Sequence, residues 1–473
     1  MREFEPIHIV GIGGIGMSAI AEVLHNNGVE VRGSDLKDGV NTRRLASKGI
    51  PVAIGHRPEN IEGARLVVLS SAVKPGNPEL IAAKAAGLSV WSRADMLASL
   101  MQNYRTVSVT GTHGKTTTTS MVAWIFETAG LDPTVITGGI INDWGTNARI
   151  GDGDWFIVEA DESDETFVKL PTRIGVVTNI DPEHLDYYGS VEAMHSAYRR
   201  FIEGVQPGGI VIAGIDHAIV RDFAEKARLP QGARILRYGV AADADVRLAA
   251  VRSNGASMHI DAVLSDAVKR GERRFEDLTL AVPGHYNALN AMAAIAVATE
   301  AGIADEVIRE ALASFHGVKR RFTRTGVWNG VSIYDDYAHH PAEIAAVLGA
   351  ARGAAGGRVI AVVQPHRYSR LKNLFEEFSG CFADSDTVIV TPVYSAGEEP
   401  NGVDRDMLVD ALRLRGHRQV MPVDGEDALT GMIASLAKPG DLVIGLGAGT
   451  ITDWANALPT RLASLNPRRD AAE

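Results

Sequence analysis

The stretch TGTHGKTT, residues 110–117, decides the fold. It follows a β-branched run, TVSV, and opens a helical pattern, and this strand–loop–helix order is the context of a phosphate-binding loop. Glycines let such a loop wrap around oxygen atoms and aim its N–H groups inward, while the helix N-terminus adds partial positive charge. The stretch therefore predicts a nucleotide-phosphate site.

Lys115 and Thr116 close this loop. The lysine ammonium can reach the β- and γ-phosphates, and the threonine hydroxyl can bind Mg²⁺, which prefers hard oxygen ligands. In the common pattern G-x-x-x-x-G-K-[ST], the position of the first glycine is Val109 here, so the loop is shorter. A generic glycine-containing turn is the alternative. Lysine, threonine and context together favour ATP and Mg²⁺ as cofactors.

Acidic residues directly follow a second apolar strand, in FIVEADE at residues 156–162. Acids in this position lie at the carboxyl edge of a parallel sheet, where ligands bind. Glu159 is the first choice as a Mg²⁺ ligand, and a solvated acidic loop is the alternative. A third strand ends in NIDPEHLD, residues 179–186, which brings His184 to the same edge. A metal or phosphate role for His184 competes with that of an ordinary structural histidine.

A second glycine loop, GIGGIG at residues 11–16, matches G-x-G-x-x-G between a strand and a helix, and Asp35 ends the following strand. Read alone, this fingerprint predicts an NAD-dependent dehydrogenase. The loop offers backbone donors to a pyrophosphate, which can belong to NAD or to a UDP-linked substrate. Two phosphate loops in one chain indicate one for ATP and one for a nucleotide-linked substrate.

The whole 473-residue chain alternates short apolar runs with helical patterns, which predicts an α/β fold with mostly parallel sheets. Length and pattern divide it into residues 1–104, 105–318 and 319–473. The net charge of −11 argues against a nucleic-acid binder, and the single cysteine, Cys381, excludes a disulfide framework. We find no secretory signal or membrane-length apolar stretch, so we expect a cytoplasmic protein without membrane insertion.

Two motifs rich in histidine and arginine follow strands near the C-terminus. YDDYAHHP, residues 334–341, places adjacent histidines before a proline at a helix start, where a structural role competes with a chemical one. PHRYSR, residues 365–370, offers Arg367 and Arg370 to a carboxylate, which arginine binds in a bidentate manner. Because these arginines are three residues apart, they would share one face of a helix. A solvated helix start is the alternative.

Taken in order, these motifs resemble those of the Mur ligase family of peptidoglycan synthesis. The resemblance covers nearly the whole chain and rests on GIGGIGMSAIA, GTHGKTTTT, VEADESD, EHLDYYG, NALNAMAA, RRF, DDYAHHP, QPHRYSR, VYSAGE and GAGT. It implies a Rossmann-like N-terminal domain for a UDP moiety, a central P-loop ATPase domain with a parallel sheet, and a Rossmann-like C-terminal domain. Two positions depart from the family: Tyr286 stands where histidine often precedes the adenine-motif asparagine, and Ala338 stands where glycine is usual.

The resemblance also implies roles for individual residues. The substrate-binding set would comprise Gly11, Gly13, Gly14, Gly16, Asp35, His56, Ser70 and Ser71. ATP would be held by Gly111, Thr112, His113, Gly114, Lys115, Thr116, Thr117, Asn287, Asn290 and Asp336. The metal ligands would be Thr116, Glu159 and His184. Catalysis and acceptor binding would involve Lys115, His184, Arg321, His339, His366, Arg367 and Arg370.

The reaction that the resemblance implies is ATP-dependent ligation through an acyl phosphate. The lactyl carboxylate of UDP-N-acetylmuramate would be phosphorylated and then attacked by the amine of L-alanine. Ser163 and the VYSAGE segment favour this acceptor, whereas a recycling ligase of the same family adds a preformed tripeptide. Outside the family, the alternatives are the dehydrogenase and a P-loop switch that hydrolyses nucleotide without ligation. We expect small-molecule substrates, no nucleic-acid partner, and a monomer or homodimer.

Overall fold

The structure, a computed structural model, describes residues 2–70, 72–255 and 257–465. Their strands form three sheets, and helices connect most of these strands, which confirms the α/β prediction. The chain divides into two compact units. Unit 1 comprises Met1–Ala250, Asp261–Leu278 and Leu289–His316, and unit 2 comprises Val251–Ile260, Thr279–Ala288 and Gly317–Glu473. Among the described residues, no helix is both long and apolar enough to cross a membrane.

The first sheet is parallel throughout. Its strands are β1 (Ile7–Val10), β2 (Val31–Asp35), β3 (Val52–Ile54), β4 (Leu66–Leu69) and β5 (Ser89–Ser92). They pair in the order β3-β2-β1-β4-β5. The accompanying helices are α1 (Ile15–Asn26), α2 (Val40–Ser47), α3 (Pro78–Ala85) and α4 (Arg93–Met101). Parallel pairing brings the carboxyl ends of β1, β2, β3 and β4 to one edge, so the residues that follow these strands form a common rim.

The second sheet has ten strands. They are β6 (Arg105–Thr110), β7 (Thr134–Ile141), β8 (Thr146–Arg149), β9 (Trp155–Glu159), β10 (Ile174–Val177), β11 (Ile210–Gly214), β12 (Arg234–Gly239), β13 (Val246–Asn254), β14 (Ser257–Leu264) and β15 (Arg273–Leu280). Their order is β15-β14-β13-β12-β11-β10-β6-β9-β7-β8. The helices of this region are α5 (Lys115–Thr128), α6 (Leu185–Tyr188), α7 (Val191–Glu203), α8 (Ala218–Lys226), α9 (His285–Ala301) and α10 (Asp305–Ser314).

One continuous core joins the first sheet to the second. Ile9 of β1 and Phe156 of β9 are both fully buried in the same hydrophobic cluster. Helix α1 packs against β7 and β8, and Asn147 of β8 donates a hydrogen bond of 3.1 Å to the carbonyl of Ile15. Such strands are buried on both faces, which is typical of a parallel sheet that is covered by helices.

The third sheet belongs to unit 2. Its strands are β16 (Thr323–Trp328), β17 (Val331–Asp336), β18 (Val359–Val363), β19 (Thr387–Val390), β20 (Val420–Pro422) and β21 (Leu442–Leu446), in the order β16-β17-β21-β18-β19-β20. Only β16 is antiparallel to its neighbour among these strands. The helices are α11 (Pro341–Ala354), α12 (Tyr368–Asn373), α13 (Phe375–Gly380), α14 (Arg405–Leu414), α15 (Glu426–Leu436) and α16 (Ile451–Leu465).

Side chains of β18 alternate between two cores, one on each face of this sheet. Val359, Ala361 and Val363 enter one cluster, while Ile360 and Val362 enter the other. The alternation follows from the two-residue period of a strand. Cys381, just after α13, is partly buried, and burial raises the pKa of its thiol to about 12.

Candidate active site

The loop between β6 and α5 has the geometry expected of a phosphate-binding loop. Strand β6 ends at Thr110 and α5 begins at Lys115, so the glycine-rich residues lie at the helix N-terminus. Gly114 has φ of 83°, a conformation that favours glycine, and a Cβ there would lie 2.6 Å from Oδ1 of Asn290. The backbone N–H of His113 donates to Oδ1 of Asn179 at 2.8 Å. The loop is thus fixed on both sides by asparagine side chains.

Lys115 is held by the loop itself and by one carboxylate. Its ammonium donates to the carbonyls of Gly111 and Thr112 at 2.6 and 2.9 Å, and to Oε1 of Glu162 at 2.8 Å. Burial opposes the ammonium charge, but Glu162 and Glu159 outweigh it and raise the pKa of Lys115 above its ordinary value. The lysine is therefore a fixed cation at the mouth of the loop.

Thr116 and Glu159 form the oxygen pair that the sequence predicted for Mg²⁺. The threonine hydroxyl donates to Oε1 of Glu159 at 3.0 Å. Oε2 of Glu159 accepts from the hydroxyl of Thr137 at 3.1 Å and from the backbone N–H of Gly138 at 2.5 Å. A hydroxyl and an ionisable carboxylate side by side suit Mg²⁺, which takes few protein ligands beside phosphates and water. The described residues contain no cluster of three or more histidine, cysteine or acidic ligands.

His184 lies next to Glu162, the acid three residues after Glu159. Its Nε2 is 3.6 Å from Oε1 of Glu162 and 3.6 Å from Oε2 of Glu183. Burial would lower its pKa, but the hydrogen bond and charge of Glu162 outweigh burial and raise it. Oε2 of Glu162 is buried without a hydrogen-bond partner, so this carboxylate retains an acceptor for a further ligand.

Asp181 sits between two histidines beneath the same loop. It lies 3.3 Å from Nε2 of His113 and 3.2 Å from Nε2 of His217. Hydrogen bonds from these rings hold the pKa of Asp181 well below its usual range. The hydroxyl of Thr112 accepts from the backbone N–H of Asp181 at 2.8 Å, which ties the β10 loop to the phosphate loop.

The remaining residues of the ATP set are buried. Thr112, Thr116 and Thr117 are between 7% and 8% exposed, and Asn287 and Asn290 are 5% and 6% exposed. Asn290 reaches Gly114, whereas the amide of Asn287 donates to the carbonyl of Pro283 at 2.6 Å. Tyr286, at the departure from the family pattern, is partly buried against the core of unit 2, and burial raises the pKa of its phenol.

The N-terminal glycine loop lies at the carboxyl edge of the first sheet. Gly11 and Gly13 follow β1, and the backbone N–H of Gly14 closes a turn onto the carbonyl of Gly11 at 3.2 Å. Gly16 lies within the first turn of α1. Asp35, expected at the substrate, accepts a hydrogen bond of 2.9 Å from the backbone N–H of Gly13. The backbone N–H groups of residues 11–14 are therefore all hydrogen-bonded within the chain.

His56 and Ser70 occupy the same edge. His56 follows β3, and its Nδ1 lies 3.1 Å from the hydroxyl of Ser34. Ser70 follows β4; its backbone N–H donates to the carbonyl of Val10 at 3.1 Å, and its side chain borders Gly11. Ser71 lies outside the described residues.

Asp336 and Arg321 belong to unit 2, where both lie next to Tyr337. Asp336 is buried, and its two oxygens accept from the backbone N–H groups of Phe322 at 2.6 Å and Ala338 at 2.7 Å. Burial raises its pKa to about 6, against the lowering effect of Arg321 and these bonds. The guanidinium of Arg321 lies 5.1 Å from the ring centre of Tyr337. Asp336 thus shapes the turn after β17.

His339 and His366 form a column of rings with Tyr394. The ring centres of His339 and His366 are 5.6 Å apart, and the ring of His366 stacks on that of Tyr394 at 5.4 Å and 16°. Arg370 donates to Nδ1 of His366 at 3.3 Å. Burial, His339 and the neighbouring arginines lower the pKa of His366 to about 4, so its ring is neutral near neutral pH.

Arg367 corrects one expectation. Helix α12 begins at Tyr368, and Arg367 precedes it with φ of 67°. The two arginines therefore do not share a helical face, because the chain turns at Arg367, where its backbone N–H donates to the carbonyl of Tyr394 at 2.8 Å. Arg367 is the last residue before α12, and Arg370 lies within that helix.

Sequence reasoning missed two acids in this region. Glu162 contacts Lys115 and His184, and Asp181 contacts His113. Both lie in motifs that drew attention, EADE and NIDPEH, but their partners are distant along the chain. Only the parallel pairing of β6 with β9 and β10 brings them together.

Comparison with known proteins assigns three successive regions of the chain to one family. Models of the Mur ligase family match at residues 6–105 (catalytic domain), 109–298 (middle domain) and 320–449 (glutamate ligase domain). UDP-N-acetylmuramate–L-alanine ligases of Nitrobacter hamburgensis and a Bradyrhizobium strain are 55% and 56% identical over 98% of this chain and 99% of each relative.

Solved structures give the same result. The crystal structure of the UDP-N-acetylmuramate–alanine ligase of Thermotoga maritima is 28% identical, with a TM-score of 0.80 over 97% of this chain and 99% of its own. The MurF ligase of Thermotoga maritima, solved with ADP, is 18% identical and shares the fold, with a TM-score of 0.64 over 92% of this chain and 95% of its own. The chain belongs to the Mur ligase family of ATP-dependent ligases.

Proposed function

We propose that this enzyme joins L-alanine to the lactyl carboxylate of UDP-N-acetylmuramate, with ATP as the energy source, in peptidoglycan synthesis. The observation that carries the proposal is the pair of glycine loops in unit 1, one with Lys115 and Thr116 before α5 and one with the G-x-G-x-x-G pattern at the start of α1. The full-length relatives named for this reaction support the choice of acceptor.

The chemistry needs activation because a carboxylate is a poor electrophile toward an amine. Attack of the lactyl carboxylate on the γ-phosphorus of ATP breaks the bond to the β-phosphate oxygen and gives an acyl phosphate and ADP. The alanine amine then attacks the acyl carbon, and the tetrahedral intermediate expels phosphate. The protein mainly aligns the reactants and neutralises charge.

Individual side chains supply these effects. Lys115 offers a fixed positive charge to the β- and γ-phosphates. In unit 2, Arg367 and Arg370 offer guanidinium groups to the carboxylate of alanine, and the neutral ring of His366 can accept a hydrogen bond from its ammonium. His339 and Arg321 provide further polar and cationic groups in that unit.

Mg²⁺ is part of the proposal. Thr116 and Glu159 would hold it, with His184 and the free oxygen of Glu162 near the same loop. When bound, the ion would neutralise phosphate charge. We further propose the domain limits 1–104, 105–318 and 319–473, a cytoplasmic location, and a monomer or homodimer.

The test is phosphate release from MgATP and UDP-N-acetylmuramate, assayed separately with L-alanine and with the L-Ala-D-Glu-diaminopimelate tripeptide. We expect release with L-alanine and a product heavier by one alanyl residue. Release only with the tripeptide would assign the recycling reaction instead. Release that needs no amine acceptor would indicate a nucleotide hydrolase.

A further inference from the structure

A buried carboxylate lies behind the rim of the first sheet. Glu79, in the first turn of α3, is fully buried and accepts hydrogen bonds from four groups. They are Nε2 of His8 at 3.2 Å, the hydroxyl of Ser34 at 2.6 Å, the backbone N–H of Arg57 at 3.2 Å, and the amide of Asn60. Burial would raise its pKa, but the bonds from His8, Ser34 and Asn60 lower the pKa of Glu79 to about 2.

Such a group is a costly way to stabilise a fold. A buried ion loses its hydration, and hydrophobic replacements of buried ion clusters are often as stable. No lysine or arginine side chain is among the hydrogen-bond donors of Glu79, and its nearest polar neighbours connect to the rim. In the connection through Ser34, it is fixed which atom donates and which accepts in each hydrogen bond.

The number of protons on each group decides which atom donates. The hydroxyl of Ser34 has one proton and donates it to Oε2 of Glu79, which as a carboxylate can only accept. Toward Nδ1 of His56, 3.1 Å away, the same hydroxyl can therefore only accept. Nδ1 must carry a proton, and in the neutral ring Nε2 is then an acceptor. Nδ1 also lies 3.4 Å from Oε1 of Glu79, which favours the same arrangement.

Ser34 also connects this relay to the glycine loop. Its carbonyl accepts from the backbone N–H groups of Gly11 and Ile12 at 2.8 and 3.0 Å. His56 follows β3, the neighbour of β2 on the side away from β4. In dinucleotide folds, the nucleoside lies at the end of β2, beside the pyrophosphate loop. His56 thus follows a strand next to the expected nucleoside position, and a lone pair on its Nε2 can accept a hydrogen bond from a ligand donor.

We infer that Glu79, acting through the hydroxyl of Ser34, is a positioning residue that holds His56 in its Nδ1-protonated form, so that Nε2 accepts a hydrogen bond from the nucleoside of the UDP-linked substrate. The inference rests on the proposed UDP site. Uridine has two kinds of donor, the N3–H of the uracil ring and the ribose hydroxyls.

The variants Glu79→Gln and Ser34→Ala break the relay, and His8→Gln is the matched control. The amide of Glu79→Gln can donate to Ser34, whose hydroxyl is then free to donate to Nδ1, which favours the opposite tautomer. Ser34→Ala removes the relay while leaving Glu79 ionised. His8→Gln removes a buried partner of Glu79 that has no recorded contact with His56.

The first readout is UDP binding by calorimetry, without ATP or alanine. We expect Glu79→Gln and Ser34→Ala to weaken UDP roughly tenfold, the scale of one hydrogen bond in a buried site. His8→Gln should lower the melting temperature and leave UDP affinity within about twofold, since it removes no ligand contact. In turnover, the two relay variants should raise KM for the UDP-sugar at unchanged kcat.

A second readout is heteronuclear NMR of the histidine ring nitrogens, where Glu79→Gln, which removes the carboxylate near Nδ1, should shift His56 toward the Nε2-protonated form. On the wild-type chain, one of N3-methyl-UDP, 2′-deoxy-UDP and 3′-deoxy-UDP should bind more weakly than UDP, and the weaker analogue identifies the donor. The inference is overturned if the relay variants bind UDP normally, if His8→Gln weakens UDP equally, or if all three analogues bind as UDP does. Absence of ligation by a chain that shows these UDP effects would instead overturn the proposed function alone.

Discussion

At the scale of single residues, the contact between Lys115 and Glu162 gives the sharpest expectation. Glu162→Gln keeps the shape of the side chain but removes the charge 2.8 Å from the ammonium. Breaking a buried ion pair leaves the partner uncompensated, at a cost of about 3–5 kcal/mol. We expect about 1.4–2.7 kcal/mol of this cost to appear in kcat/KM for ATP, a fall of roughly 10- to 100-fold that steady-state kinetics measures.

Glu165→Gln provides the control for this substitution. Glu165 lies in the same loop but pairs with the exposed Arg200. Exposed pairs contribute little, so this variant should retain wild-type kinetics. Equal kinetics for both variants would contradict the role of Glu162.

The pKa of His366 leads to a pH dependence. The ring is neutral in the folded chain down to pH of about 4, while an unfolded histidine gains its proton near 6.5. Between these values the unfolded chain binds the extra proton, so the stability associated with His366 falls as pH drops from 6.5 to 4. We expect His366→Gln to flatten this fall in unfolding free energy, measured by urea titration.

Above pH 7 the ring is neutral in both the folded and the unfolded chain, so measurements in that range serve as an internal control. The difference in unfolding free energy between wild type and His366→Gln should there be independent of pH. A parallel fall of both proteins between pH 6.5 and 4 would show that another group is responsible.

Residue types alone could predict Lys115, Thr116 and Glu159, because each sits in a local motif with a known chemical use. They could not predict that Asp35 would satisfy the N–H of Gly13, since this contact depends on the pairing of β1 with β2. Glu79 was equally hidden, because a single glutamate near a proline has no local signature.

At the scale of elements, the pairing of β7 with β9 controls the metal pair. Their register places Gly138 beside Glu159, and a Cβ at Gly138 would lie 2.7 Å from Oε2 of Glu159. Gly138→Ala must push the carboxylate away and remove its bond from the N–H. We expect a higher Mg²⁺ concentration for half-maximal activity, by about tenfold, the scale of one hydrogen bond to a charged group.

Gly425→Ala is a suitable control for that substitution. Gly425 precedes α15 with extended backbone, and a Cβ there would meet nothing within 4 Å. Its Mg²⁺ dependence should match the wild type. An unchanged Mg²⁺ requirement in Gly138→Ala would remove Glu159 from the metal site.

Element patterns predicted the strands and helices around both glycine loops, because alternating apolar runs are strong local signals. The start of α12 shows the limit. Spacing alone put Arg367 and Arg370 on one helix, but the bond from Arg367 to Tyr394 turns the chain before the helix begins. A contact between residues 27 positions apart cannot be read from local sequence.

At the scale of the whole molecule, the two compact units lead to a prediction about unfolding. Both glycine loops belong to unit 1, and unit 2 has its own cores. Chains with several cores commonly depart from two-state unfolding. In calorimetry we expect two transitions, of which UDP raises that of unit 1, by about 2.7 kcal/mol at a hundredfold excess over its Kd.

Leu348→Ala assigns the transitions. Leu348 is fully buried in a core of unit 2, so its truncation should lower the other transition by about 2–5 kcal/mol. We expect the ligand to move only the transition of unit 1 and the substitution to move only that of unit 2. A single transition that both of them move would contradict independent unfolding.

The partly buried thiol of Cys381 has a practical consequence. Maleimide and related probes react with thiolate, and a thiol with a pKa of about 12 is almost entirely protonated under labelling conditions. The chain has no other cysteine. A cysteine introduced at an exposed position would therefore accept a fluorophore or spin label selectively, and the natural sequence is suited to distance spectroscopy without prior removal of its own cysteine.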